Sequence, residues 1–178
     1  MNKKSRVNVG ATSSRPRYKE IAKIGKDFVK KELPKRKNIR LKYYDYSNEG
    51  LYFVTICTKN RIQVLGKIID NKYIELTKEG ILVEQYIKNI KHIFNNVIVD
   101  EYIIMPNHIH MILIISNIND INISRIIKQY KMYVSKMIGY SIWQKSFYEH
   151  IIRNEKEYYA IKEYIQNNIV NWHKDKYF

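Results

Sequence analysis

One stretch constrains the fold of this chain more than any other. Residues 103–115 read IIMPNHIHMILII, a run so apolar that it belongs in a core, yet it carries His108 and His110 two positions apart. Its length and its β-branched residues indicate a strand, and Pro106 and Asn107 separate it from a preceding strand-like run, VIVDEYIIM. Residues two apart in a strand project to the same side, so the two imidazoles point together, about 6 to 7 Å apart along the chain. Ile109, Met111 and Leu113 fall on the opposite face, and Ile112 and Ile114 continue the histidine face inward.

The elements around this strand suggest an architecture. LYFVTICT, from Leu51, reads as a buried strand, and residues 62–76 as a weaker hairpin turning at Asp70 and Asn71. Thr77 is a helix N-cap ahead of apolar residues at helical spacing from Ile81 to Ile93. A second helix begins near Ser124 and closes at Gly139, and a last helix runs from about Glu155 to Trp172. Strand, helix, strand, strand, helix in that order suits an α+β, ferredoxin-like split βαβ domain. Such a domain has a largely antiparallel sheet with helices on one face. This domain is expected over 41–178. Residues 1–40, rich in Lys and Arg and sparse in apolar residues, form a separate basic arm, with a candidate helix over 19–32.

Charge narrows the class of partner. The chain holds 32 Lys and Arg against 17 Asp and Glu among 178 residues, a net +15. A polyanion is the expected partner, with nucleic acid ahead of an anionic membrane surface, since no surface-lying amphipathic anchor stands out; nor is any apolar run long enough to span a bilayer. One cysteine, Cys57, excludes an internal disulfide framework, and no secretory leader is visible. A cytoplasmic protein, nucleoid-associated when bound to DNA, is the expectation.

A lone His-x-His is most often a hydrogen-bonded structural pair. Here a Pro-Asn break, a uniformly apolar strand and a basic chain favour a pair of neutral imidazoles that could hold a divalent ion against a phosphate oxygen. The last helix offers Tyr164 and Asn168 at i and i+4, one phenol and one amide on one face, beside a packing stripe of Ile161, Ile165, Ile169 and Trp172. Tyr130 and Tyr133 are rival phenols.

Three segments in this order, MPNHIHMILII, IWQKSFYEHIIRNE and AIKEYIQNN, resemble the REP-associated tyrosine transposases, a branch of the single-tyrosine HUH transposase superfamily. The resemblance runs from about Gly50 to Asn168, and His108, Ile109 and His110 match the His-hydrophobe-His signature. It implies a metal-dependent transposase that cleaves and rejoins single-stranded DNA, often beside a hairpin, through a covalent 5′-phosphotyrosine intermediate. By motif position Tyr164 is the nucleophile, and His108, His110 and Asn168 ligate Mg²⁺ or Mn²⁺. Some relatives carry Gln where this chain has Asn168. His150, in YEHIIRN, matches a recurrent histidine without an assigned role. Lys128, Lys131 and Arg153 are expected phosphate contacts, and Trp143, Phe147 and Tyr148 either stack on bases or pack in the core. A homodimer is compatible with this reading. The competing readings are an HUH endonuclease of replication-initiator or relaxase type and a noncatalytic nucleic-acid-binding domain.

Overall fold

The computed structural model describes residues 49–116 and 122–174. The basic arm expected over residues 1–40, with its candidate helix, lies outside them. Six strands and four helices are described: β1 (Gly50–Cys57), β2 (Gly66–Ile69), β3 (Tyr73–Leu76), α1 (Lys78–Lys88), α2 (Ile90–Ile93), β4 (Val97–Met105), β5 (His108–Ile115), α3 (Ile123–Ile138), β6 (Tyr148–Ile152) and α4 (Glu155–Gln166). The main sheet has the order β4-β5-β1-β6 with every neighbouring pair antiparallel. β5 is thus inserted between β1 and β4, which are joined through α1, and this is the split βαβ order. The β2–β3 hairpin is a separate insertion. It turns at Asp70 and Asn71, both left-handed (φ 50° and 54°), which Asp and Asn tolerate better than most residues.

Local signals set the helix ends. Thr77 Oγ1 accepts the Gly80 N–H at 3.1 Å and donates to Val64 O at 2.7 Å, so one hydroxyl both caps α1 and ties it to the preceding loop. At Gly80 a Cβ would stand 1.9 Å from Leu65 O, so only glycine permits this approach of helix to loop. α1 stops at Asn89, short of the expected Ile93, and the chain restarts as α2. Asn122, rather than Ser124, caps α3, and Gly139 closes it at φ 91°. Asn154 caps α4, accepting the Glu157 N–H at 2.9 Å. Regular helix ends at Gln166, and the chain continues in loose turns to a 3-10 segment at Trp172–Lys174.

Each sheet face has its own cluster. On one, Tyr52, Val54, Ile56, Ile109, Met111 and Leu113 pack against Val83 and Ile87 of α1 and Ile123, Ile126, Ile127, Tyr130 and Val134 of α3. That is the main core. On the other, Phe53, Ile112 and Ile152 receive Ile165, with Tyr158 and Ile161 at the margin. The class and the antiparallel split βαβ sheet are those expected, but helices on one face are not, since α4 packs on the second face. Its periodicity marks an apolar stripe but carries no information on which side of the sheet receives it. The consequence is functional, because the second face is the one that carries the histidines. Among the described residues, no helix is long and apolar enough to cross a membrane.

Candidate active site

β5 begins with His108, so both histidines lie at one end of the sheet, with Cys57 and Thr55 of β1 as their register partners. The two rings are 0% and 1% exposed. Each is oriented through its Nδ1: His108 lies 2.8 Å from Asn107 Oδ1, and His110 lies 2.8 Å from Thr55 Oγ1. In the tautomer with the proton on Nδ1, His108 donates to Asn107 Oδ1 and its Nε2 presents a lone pair. The Nε2 atoms of the two rings are 3.0 Å apart. Two nitrogens bound side by side on one divalent ion at about 2.1 Å would stand about 3 Å apart, so the pair has the geometry of adjacent ligands. Outer partners that fix the far nitrogen are the usual support of a metal-binding imidazole. Phe53 stacks on His110 at 5.2 Å and Trp172 on His108 at 5.9 Å, holding both ring planes.

Tyr164, on α4, reaches this pair from above the sheet. Its hydroxyl is 3.3 Å from His110 Nε2, and its ring meets His110 edge-on at 5.2 Å and Phe53 at 6.1 Å. The residue as a whole remains 40% exposed. Asn168 lies beyond the regular helix but is 2% exposed. Bonds from Asn167 N–H to Glu163 O, Asn168 N–H to Ile165 O and Trp172 N–H to Ile169 O keep this stretch in helical turns. Tyr164, Asn168 and Trp172 therefore share a face, and the outer two touch His110 and His108. Among the described residues, no group of three or more His, Cys, Asp or Glu is placed to hold an ion. Two converging imidazole nitrogens with an amide and a phenol oxygen nevertheless form a chemically sound donor set for a divalent cation, with Asn168 as the candidate third protein ligand.

α4 is seated by polar contacts as much as by Ile165. At a bulge in β4, Tyr158 donates to Asp100 Oδ2 at 2.8 Å, Lys162 lies 3.4 Å from Glu101 Oε2, and Gln166 donates to the same oxygen at 3.2 Å. The Asp100 carboxylate beside it holds the Tyr158 phenol above its ordinary pKa, and hydrogen bonding to that phenol raises Lys162. His150 anchors the start of the helix. Its Nε2 is 2.6 Å from Glu157 Oε1, while Glu157 Oε2 accepts the Arg153 N–H at 2.8 Å. That backbone donor first, and His150 second, hold the Glu157 carboxyl below its usual range. His150 thus engages α4 rather than the histidine pair.

The remaining expected residues lie apart from the histidines. Lys131 donates to three carbonyls, Gln144 at 2.5 Å, Lys145 at 3.3 Å and Ser146 at 3.4 Å, stapling the loop after α3. Lys128 is exposed and lines, with Lys131, Lys145 and Phe147, a groove of about 290 Å³. Arg153 is exposed at the start of α4, beside a hollow of about 440 Å³ that Tyr158 and Tyr159 also line. Trp143 is buried against Tyr130, so core packing is its role. Tyr148 is half-buried with its ring edge-on to Phe53 at 6.5 Å. The rival phenols sit on α3, on the far side of the sheet. Tyr130 donates to Val83 O and burial pushes its pKa well up, and Tyr133 stacks on Tyr86. Sequence reasoning missed Thr55, Asn107 and Phe53. Asn107, adjacent to His108, carried a visible signal; Thr55 and Phe53 depended on the register of β1 with β5.

No family model matches the chain. A protein of Haemophilus influenzae (strain Rd), itself uncharacterized, is 38% identical over 168 residues, spanning 80% of this chain and 93% of its own length. Among solved structures, that of a REP-associated tyrosine transposase bound to a REP hairpin matches with a TM-score of 0.60 at 25% identity, over 77% of each chain. With the histidine pair, the tyrosine helix and the motif order in place on that fold, the chain belongs to the REP-associated tyrosine transposase family.

Proposed function

We propose that this transposase cleaves and rejoins single-stranded DNA beside a hairpin, in a metal-dependent reaction that passes through a covalent 5′-phosphotyrosine on Tyr164. The observation that carries the reading is the approach of the Tyr164 hydroxyl to within 3.3 Å of His110 Nε2, where that atom is itself 3.0 Å from His108 Nε2. The hairpin bound by the similar transposase supports DNA of that form as the substrate here.

His108 and His110, through Nε2, and Asn168 would hold Mg²⁺ or Mn²⁺, which when bound supplies Lewis-acid polarisation of the scissile phosphate. The protein's own groups do the rest. Contacts of Thr55 and Asn107 with the Nδ1 atoms turn both Nε2 atoms inward, and Phe53 and Trp172 pack against the ring planes. The Tyr164 oxygen attacks phosphorus as its proton departs, an O–P bond forms to the 5′ side, and the bond to the 3′ oxygen breaks. The freed 3′ oxygen takes up a proton as a hydroxyl. Attack by a 3′-hydroxyl on the phosphotyrosine reverses the step and restores the phenol. Because the ester conserves the energy of the broken bond, no nucleotide cofactor is needed.

The test is incubation with labelled hairpin-bearing single-stranded DNA and Mn²⁺ or Mg²⁺, followed by denaturing electrophoresis. A denaturation-resistant adduct that depends on the ion is expected, together with strand joining. No adduct across varied hairpins and both ions would leave a noncatalytic DNA-binding domain, and nicking without joining would indicate a replication-type endonuclease.

A further inference from the structure

The seating of α4 on β4 depends on an irregularity in that strand. Register partners share a face, so Glu101 and Ile103, opposite Ile112 and His110, lie on the second face, as does Ile98 opposite Ile114. Val99 and Tyr102, opposite Leu113 and Met111, lie on the first. Between Val99 and Glu101 the register shifts, and Asp100 is the extra residue. Strict alternation would send Asp100 and Glu101 to opposite faces. The bulge instead turns two successive carboxylates toward one helix. Asp100 Oδ2 accepts from the Tyr158 hydroxyl at 2.8 Å and Glu101 Oε2 from Gln166 Nε2 at 3.2 Å, while Lys162 Nζ lies 3.9 and 3.4 Å from the same two oxygens.

Tyr158, Lys162 and Gln166 follow one another at intervals of a turn, so the pair grips three successive turns of α4. The helix has little else to fix its setting. Ile165 is its one buried side chain, and the His150–Glu157 contact holds only its start. At about 100° per residue, Ile161 and Ile165 face the sheet, Lys162 and Gln166 fall on the flank toward β4, and Tyr164 and Asn168 fall on the other flank. A single apolar ridge seats a helix but leaves it free to roll about its axis. Any such roll alters the 3.3 Å approach of the Tyr164 hydroxyl to His110 Nε2.

We propose that the Asp100–Glu101 bulge positions the nucleophile, its two carboxylates fixing the roll of α4 and so holding the Tyr164 hydroxyl at the histidine pair. The inference rests on the reading of Tyr164 as the residue that attacks phosphorus. Both carboxylates act through the helix and are positioning residues. Displacement of a reacting group by about 1 Å costs on the order of 100-fold in rate, so loss of the grip acts on the chemical step. Charge alone predicts the opposite, since removing two negative charges favours association with a polyanion.

The experiment compares the full chain with four variants: Asp100→Ala combined with Glu101→Ala, Glu101→Lys, Lys162→Glu, and the last two combined. Single-turnover adduct formation at saturating hairpin-bearing single-stranded DNA and Mn²⁺ is followed alongside DNA affinity and segment-resolved amide hydrogen exchange. The double alanine variant is expected to form adduct about 10- to 100-fold more slowly while binding DNA no more weakly than the parent, with faster exchange confined to α4. Each charge reversal is expected to slow the step, and their combination to recover most of the rate. A parent-like rate in the double alanine variant would overturn the proposal, as would a slow rate with α4 exchange unchanged. Faster exchange throughout the sheet would also overturn it, by showing a general loss of fold, and so would a combined reversal no faster than its slower member. Absence of any adduct with the parent protein would refute the cleavage reading and leave the exchange comparison decisive for the grip on α4. A parent adduct with an equal rate in the double alanine variant would refute this inference alone.

Discussion

The hydroxyl of Tyr164 stands 3.3 Å from Nε2 of His110, across 54 positions of chain and two elements that touch only on the second face of the sheet. Removing that oxygen removes the only atom proposed to attack phosphorus. Tyr164→Phe is therefore expected to abolish the covalent adduct entirely. Its stability should change by no more than about 0.5 kcal/mol, as for a part-exposed group making one long hydrogen bond. Adduct formation and thermal unfolding, measured on the same preparation, check the two halves. An adduct that survives in Tyr164→Phe would move the nucleophile elsewhere.

Thr55 tests the orientation of His110. Thr55→Val keeps nearly the same shape but leaves His110 Nδ1 without the hydroxyl 2.8 Å away, in a site where both residues are buried. Loss of such an outer partner costs about 10- to 100-fold in metal affinity. Calorimetric titration with Mn²⁺ should show that loss in Thr55→Val and recovery in Thr55→Ser. Equal affinity in all three proteins would mean that Thr55 supports the fold and not the ligand.

The His150–Glu157 contact predicts a pH dependence with a definite sign. Hydrogen bonds from the Arg153 N–H and His150 hold the Glu157 carboxyl below its usual value, so the folded protein binds this proton less readily than the unfolded chain does. The stability it contributes is present above the ordinary glutamate pKa near 4.5 and is lost as pH falls through the lower folded value. Thermal unfolding followed downward from about pH 6 should show the parent losing stability more steeply than Glu157→Gln in the acid range. Parallel curves would show that the contact does not stabilise α4.

Much of this arrangement was legible in the sequence because it depends on periods. Alternation of faces placed His108 with His110, helical spacing placed Tyr164 with Asn168, and Thr77, Gly139 and the Asp70–Asn71 turn declared their roles by residue type. What was not legible depends on register and face. Nothing local in EKEYYAIKEYIQ indicates that the stripe through Ile161 and Ile165 covers Phe53 and Ile112 and not the larger cluster across the sheet. Thr55 and Phe53 became site residues only through the pairing of β1 with β5. Lys131 looked like its neighbour Lys128 until the loop carbonyls of Gln144, Lys145 and Ser146 were found around its ammonium.

Those two lysines, one turn apart on α3, are expected to separate in experiment. Lys128 is exposed along the groove, with its charge open to a DNA phosphate under the proposed function, whereas Lys131 is half-buried and satisfies three carbonyls that would otherwise face the loop unsupported. Lys128→Gln should therefore weaken single-stranded DNA binding at low salt, with the salt slope shallower by about 0.7 and the melting temperature unchanged. Lys131→Gln should lower stability by about 1–3 kcal/mol, the usual range when a charged hydrogen-bond donor is withdrawn from its acceptors. Any effect of Lys131→Gln on DNA binding should then follow from the loop that carries Lys145 and Phe147, and so should persist at high salt where a lost phosphate contact would not. If Lys131→Gln instead leaves the melting temperature intact and changes only the salt slope, its ammonium leaves the carbonyls to bind phosphate, and the staple is not what orders the loop.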